Sequence, residues 1–244
     1  MDLNLILTVI AISTMGPFLG SLIGVIRYPS KRYMCNMLSF AAGVMLAISF
    51  LELIPESMHI SSIWVCVAGI AFGALVMYGL DRFIPHVHPE MCSKDPFHRL
   101  KRTATYILVG IFLHNFPEGM AMAIGGVTEI RLSLIIAIAI AIHDIPEGIC
   151  TSAPYFHVTR KRLKSFLVSF STAIPTIAGF VLAYFMYQFI PLWAVGFVIA
   201  ATAGLMIFIS SDELIPISSS LTTSHTTIFS FLAGILFVIL LGLL

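Results

Sequence analysis

Two six-residue strings carry the residue types that could do chemistry. His114-Asn115-Phe116-Pro117-Glu118-Gly119 is echoed by His143-Asp144-Ile145-Pro146-Glu147-Gly148. On an α-helix, positions i and i+4 share a face. His114 therefore stacks one turn from Glu118, and His143 one turn from Glu147. Asn115 and Asp144 lie three residues before their glutamates, on nearly the same side. Brought together, the strings offer two imidazoles, three carboxylates and one amide oxygen. Such a donor set suits zinc, iron(II) or manganese(II), whereas a thiolate-rich set would point to copper(I) or zinc.

The elements that position these strings are membrane helices. Of the 244 residues, 59% are hydrophobic and 10% charged, against roughly 25% charged in soluble domains. Apolar runs of about 20 residues recur along the chain, each long enough to cross a hydrocarbon core about 30 Å thick. The runs lack the alternation of barrel strands, which leaves helices to satisfy the backbone in lipid. The expected fold is all-α and polytopic, a single transmembrane domain over 1–244. Its eight spans cover about 3–26, 36–56, 62–83, 104–126, 131–153, 164–187, 192–215 and 227–243. A cytoplasmic loop covers about 84–103. Asp2 stands where a cleavable signal peptide would carry positive charge. Cys35, Cys66, Cys92 and Cys150 show neither C-x-x-C spacing nor a disulfide framework.

Burial makes the paired strings informative. An ionised carboxylate at a helix centre costs about 2.5–3.5 kcal/mol on insertion scales. Asp144, Glu118 and Glu147 have no intramembrane Lys or Arg to offset that cost, since Arg131 sits too near a helix end. A cation from outside the chain is the natural partner. Pro117 and Pro146 lack an N–H and free the carbonyls of Leu113 and Ile142, which is useful beside a hydrated ion path.

The basic residues orient the chain. Of the 13 Lys and Arg, all but Arg131 fall in the first, third and fifth connections. The positive-inside rule places these connections in the cytoplasm and both termini outside, as a multi-pass protein of the cell membrane. The long loop carries His86, His88, Cys92 and His98, which read equally as a weak metal-collecting loop or a polar linker.

The chain also repeats itself. Residues 42–55 and 203–216 agree at Ala42/Ala203, Gly43/Gly204, Met45/Met206, Ile48/Ile209, Ser49/Ser210, Glu52/Glu213 and Leu53-Ile54-Pro55/Leu214-Ile215-Pro216. Spans 2 and 7 run in opposite directions, as in transporters with inverted repeats. Spans 4 and 5 carry the second pair, which suggests a 3+2+3 arrangement. Glu52, Glu56, Asp212 and Glu213 near the span ends read as entrance or exit ligands, or as ordinary interfacial carboxylates.

At these residues the chain resembles the ZIP (Zrt-/Irt-like) family of divalent metal transporters, in particular its short bacterial type. Eight spans, the loop after span 3 and the H-N-x-P-E-G string carry the resemblance. It implies uptake of zinc, iron, manganese or cadmium towards the cytoplasm. It also implies a primary site at His114, Glu118, His143 and Glu147, with Met45 a neighbour. A second position would use Asn115 and Asp144, bridged by the glutamates. Some members place a Glu before a Pro in span 6, where this chain reads Ala173-Ile174-Pro175. The expectation is one strong site and a weaker or absent second one.

Divalent ions and the lipid bilayer are the expected partners, with a homodimer compatible and no prosthetic group. A net charge of +1 argues against a nucleic-acid binder. A cation channel on the same scaffold is the nearest alternative. An intramembrane metalloenzyme would show His-Glu-x-x-His, and that string is absent from the sequence.

Overall fold

The computed structural model describes residues 3–83, 96–128, 130–220 and 225–242, and among them it is entirely helical. The helices are α1 (Leu3–Ile26), α2 (Lys31–Ile48), α3 (Ile54–Ile60), α4 (Ile63–Phe83), α5 (Pro96–Thr128) and α6 (Ile130–Thr159). After these come α7 (Arg162–Phe170), α8 (Ala173–Met186), α9 (Leu192–Ile209), α10 (Ile215–Ser220) and α11 (Thr226–Leu241). Seven continuous segments are long and apolar enough to cross a membrane, and Thr226–Leu241 is a shorter apolar helix.

Local chemistry sets the boundaries. The Ser30 side chain accepts from the Tyr33 N–H and caps α2, satisfying a donor that helix geometry leaves orphaned. At the other end of the fold's basic side, Arg160 takes a φ of 59° and closes α6. Pro175 breaks span 6. Lacking an N–H, it cannot bond the carbonyl four residues back. The chain tightens there, Ile174 N–H bonding the Ser171 carbonyl at 3.0 Å in the short turn between α7 and α8.

Spans 2 and 7 each contain a π-turn. Ser49–Leu53 joins α2 to α3, and Ser210–Leu214 joins α9 to α10. The two turns occupy matching positions of the internal repeat, and both run into Ile-Pro. In each, the residue before the proline bonds back to the serine: Ile54 N–H to Ser49, Ile215 N–H to Ser210. The sequence identity at these positions is thus an identity of backbone geometry.

Helix packing follows small residues. α1 lies along α6, α5 along α8, α4 along α9, α2 along α11, and α5 against α6. On α1, Gly16, Gly20 and Gly24 face α6, and a Cβ at Gly20 would stand 3.0 Å from the Gly148 Cα. Backbones approach this closely only where side chains are missing. Large apolar side chains such as Trp64, Phe185 and Phe229 project outward instead, as a lipid-facing surface requires.

The helices outrun their apolar runs. Span 2 extends over Lys31–Ile60, span 5 to Thr159 and span 7 to Ser220. The connection read as 84–103 is shorter, since α5 begins at Pro96. Backbone hydrogen bonding continues into polar sequence once a helix is nucleated, so hydropathy alone underestimates its length. At about 1.5 Å per residue, the 33 residues of α5 reach beyond a bilayer core.

Candidate metal site

Both strings sit inside unbroken helices, with Pro117 in α5 and Pro146 in α6. All six expected ligands are buried: His114 0%, Asn115 1%, Glu118 7%, His143 7%, Asp144 1% and Glu147 1% exposed. They converge where α5 and α6 cross.

The pairing runs across the helices. His114 Nε2 donates to Glu147 Oε2 at 3.1 Å, and His143 Nε2 donates to Glu118 Oε1 at 3.2 Å. Each histidine thus meets the glutamate of the other helix. Asp144 Oδ1 lies 3.4 Å from His143 Nε2, an ion-pair distance. Donor atoms of Glu118, His143 and Asp144 all fall within 4.8 Å of one another, close enough to share one cation.

Much of this polar surface makes no hydrogen bond within the protein. His114 Nδ1, Asn115 Oδ1, Glu118 Oε2, both Asp144 oxygens and Glu147 Oε1 are buried without a hydrogen bond. Buried polar atoms are normally satisfied, and orphaned ones carry a large desolvation cost. Among the described residues, just two other side-chain atoms share this condition, Thr176 Oγ1 and Ser210 Oγ. A cation would satisfy several of the orphaned oxygens at once.

Neighbouring elements hold the site in place. Asn115 Nδ2 donates to the Thr172 carbonyl at 2.8 Å, which leaves its Oδ1 free. Below Glu147, Thr151, Ser169 and Ser21 form a hydroxyl chain, with Ser21 to Ser169 at 2.7 Å and Thr151 to Ser169 at 2.5 Å. That chain ties α1, α6 and α7 together. Thr172 and Thr176 were not singled out by sequence. A carboxamide one helix away from a Thr-x-x-Pro break was the signal available.

Other candidates stand apart. Met45 and Met206 are fully buried in one apolar cluster. Glu52 and Glu213 both lie on the π-turns. Ile174 is 59% exposed and points out of the helix bundle, so its side chain does not stand in for a ligand. His86 and His88, with Cys92, lie outside the described residues.

Two halves of the molecule differ around the site. Away from the Lys- and Arg-rich connections, a cavity of about 210 Å³ is lined by Ile48, Glu52, Ile142 and His143 among others. Towards those connections, Leu38, Ile107, Ile111, Cys150, Ile209 and Leu214 belong to one packed cluster, which also takes in Ile48 and Val238 of the cavity wall.

Residues 86–242 match the ZIP Zinc transporter family. The chain is 34% identical over 242 residues to the zinc transporter ZupT of Escherichia coli O127:H6 (strain E2348/69 / EPEC), covering 96% of this chain and 93% of that protein. Zinc transporters ZupT of Escherichia coli O1:K1 / APEC and of strain K12 / DH10B match to the same extent, 34% over 96% and 93%.

Proposed function

Because the chain belongs to the ZIP zinc transporter family, and is a transporter rather than an enzyme, we propose that it carries zinc across the cell membrane into the cytoplasm. Its site is formed by His114, Asn115, Glu118, His143, Asp144 and Glu147 on α5 and α6. Iron(II), manganese(II) and cadmium(II) are further substrates of the same donor set. The observation that carries this reading is the buried, cross-paired His–Glu arrangement with its orphaned oxygens. Desolvating three carboxylates in a membrane has a cost that a divalent cation offsets.

The mechanism is alternating access in a 3+2+3 inverted-repeat fold. The main helix pairs support it: exchanging spans 1 and 6, 2 and 7, 3 and 8, and 4 and 5 maps α1–α6 onto α5–α8, α4–α9 onto α2–α11 and α2–α6 onto α5–α9. The matched π-turns support it as well. Both termini lie outside, by the charge of the connections. Metal enters from the cavity side, exchanges water and protons for the site's nitrogen and oxygen atoms, and leaves once the apolar cluster on the opposite side parts.

A cavity on one side and a packed apolar cluster on the other favour a carrier over an open channel. Uptake of radioactive zinc into proteoliposomes tests the reading, comparing the native chain with His114→Ala and Glu147→Ala. Saturable uptake lost in both folded variants supports it. Uptake unaffected by either substitution would make the paired strings structural.

A further inference from the structure

Seven of the 13 Lys and Arg residues sit on two connections that are remote in sequence and adjacent in space. Arg27, Lys31 and Arg32 belong to the α1–α2 connection and the start of α2. Arg160, Lys161, Arg162 and Lys164 belong to the α6–α7 connection and the start of α7. The two connections are clasped together. Tyr28 Oη donates to the His157 carbonyl at 3.0 Å, and His157 Nδ1 donates to the Pro29 carbonyl at 3.1 Å. The Tyr28 and His157 rings stack with centroids 4.9 Å apart. Over this clasp, the Arg160 guanidinium lies 3.8 Å from the Tyr28 ring centre and that of Arg162 5.8 Å from the Phe156 ring centre.

Stacking on a ring face holds an arginine in place without neutralising it. All seven basic residues are exposed, and among the described residues none of them makes an ion pair. The sequence contains no Asp or Glu between Asp2 and Glu52, nor between Glu147 and Asp212. The positive-inside bias accounts for the side of the membrane on which these charges lie. It requires neither their docking into one patch nor aromatic rings under two of them. The flank of the patch is apolar. Ile23 and Ile26 on α1, and Leu163 and Leu167 on α7, are exposed. The two helices pack through Phe18, whose ring meets Phe166 and Phe170 edge-on at 5.6 and 5.7 Å.

We propose that the α1–α2 and α6–α7 connections form a binding site for an anionic phospholipid of the adjoining leaflet. Arg160 and Arg162 hold its phosphate, the neighbouring lysines add charge, and its acyl chains lie along α1 and α7. Planar guanidinium groups pair with phosphate oxygens two bonds at a time, and ring-held ones lose less freedom in doing so. Basic clusters at the membrane edge recognise anionic headgroups by this chemistry. Exposed cations at one end and exposed aliphatic side chains along the length match an amphiphile with an anionic head. A soluble polyanion would use the cations and leave the aliphatic flank unmatched. A lipid seated there bridges the two connections and ties the ends of α1, α2, α6 and α7. The inference needs no metal and stands apart from the transport reading.

The test is thermal unfolding of the purified chain in a neutral detergent, with phosphatidylglycerol, phosphatidylcholine or inorganic phosphate added. Native mass spectrometry measures the affinity for each lipid. Phosphatidylglycerol should raise the unfolding temperature, and phosphatidylcholine or inorganic phosphate should leave it nearly unchanged. Arg160→Gln/Arg162→Gln should weaken phosphatidylglycerol binding about tenfold. Arg82→Gln, on α4 where it packs against α9, should keep native affinity. Equal shifts from the two lipids would overturn the proposal, as would native affinity in the double variant. A full shift from inorganic phosphate would overturn it as well, by making the patch a site for free anions. Should the double variant fail to fold, Lys161→Gln/Lys164→Gln, whose side chains touch no ring, replaces it: weakened phosphatidylglycerol binding supports the site, and native affinity overturns it.

Discussion

His114 on α5 pairs with Glu147 on α6 at 3.1 Å, across the helix interface rather than along its own helix. The same crossing joins His143 to Glu118. Movement of α5 against α6 would break both pairs together, so the two helices are expected to act as one body. A double substitution should show it. Loss of zinc binding in His114→Ala should be about as large as in His114→Ala/Glu147→Ala, because residues that share one ligand set are not additive. Chelator competition measures it, and strictly additive losses would separate the two residues.

Acid should weaken the metal. Both imidazoles share protons with carboxylates, and a cation must displace those protons to bind. Metal ligands bind when deprotonated, so lowering the pH favours the proton-filled site. Zinc affinity is expected to fall as the pH drops. Isothermal titration at several pH values, in buffers of differing ionisation heat, would reveal the released protons. An affinity independent of pH would contradict exchange of metal for protons.

Gly20 should resist enlargement. A Cβ there meets the Gly148 Cα at 3.0 Å and the Ile145 backbone besides. Residues 145 and 148 flank Glu147, so a wedge at Gly20 reaches the site through the α6 backbone. Overpacking of this kind costs about 1–3 kcal/mol. Gly20→Val should lower the unfolding temperature in detergent and reduce zinc uptake by more than the loss of folded protein explains. Gly79 meets nothing within 4 Å, and Gly79→Val is the matched control.

Restoring a carboxylate at position 174 should not build a second site. Ile174 faces outward at 59% exposure, so Ile174→Glu places its charge towards lipid at a cost of about 3 kcal/mol. The bound zinc per chain, measured by elemental analysis after gel filtration, should stay as in the native protein while stability falls. A gain of one zinc would mean that span 6 turns its 174 face inward.

How far the sequence alone reveals these features depends on the kind of interaction. Helix identity and approximate span positions follow from apolar length, which lipid enforces residue by residue. The candidate site residues are conspicuous in the sequence because carboxylates inside apolar runs are rare. The partner of each histidine is not. Spacing of four along one helix suggests His114 with Glu118, whereas the crossing of α5 and α6 sets the observed pairs. Asp95-Pro96 is a helix-start signal that the apolar run obscured, whereas no residue propensity announces that Ile174 turns outward. That outcome depends on tertiary contacts and on the break that Pro175 imposes. The repeat at Glu52 and Glu213 is visible as sequence, but its meaning as paired π-turns lies in hydrogen bonds.

Those turns have a consequence for how the chain tolerates changes in length. A π-turn holds one residue more than the α-turn it replaces, and about 100° of helical phase goes with that residue. Elsewhere in a membrane helix, a one-residue deletion rotates everything beyond it and turns buried faces to lipid. Within 49–53 or 210–214, the deletion would instead restore regular α winding and be absorbed locally, at the expense of the direction in which Glu52 or Glu213 points. Each half of the chain thus carries a spare residue at the same phase of its span, and losing either one should trade metal handling for a straighter helix.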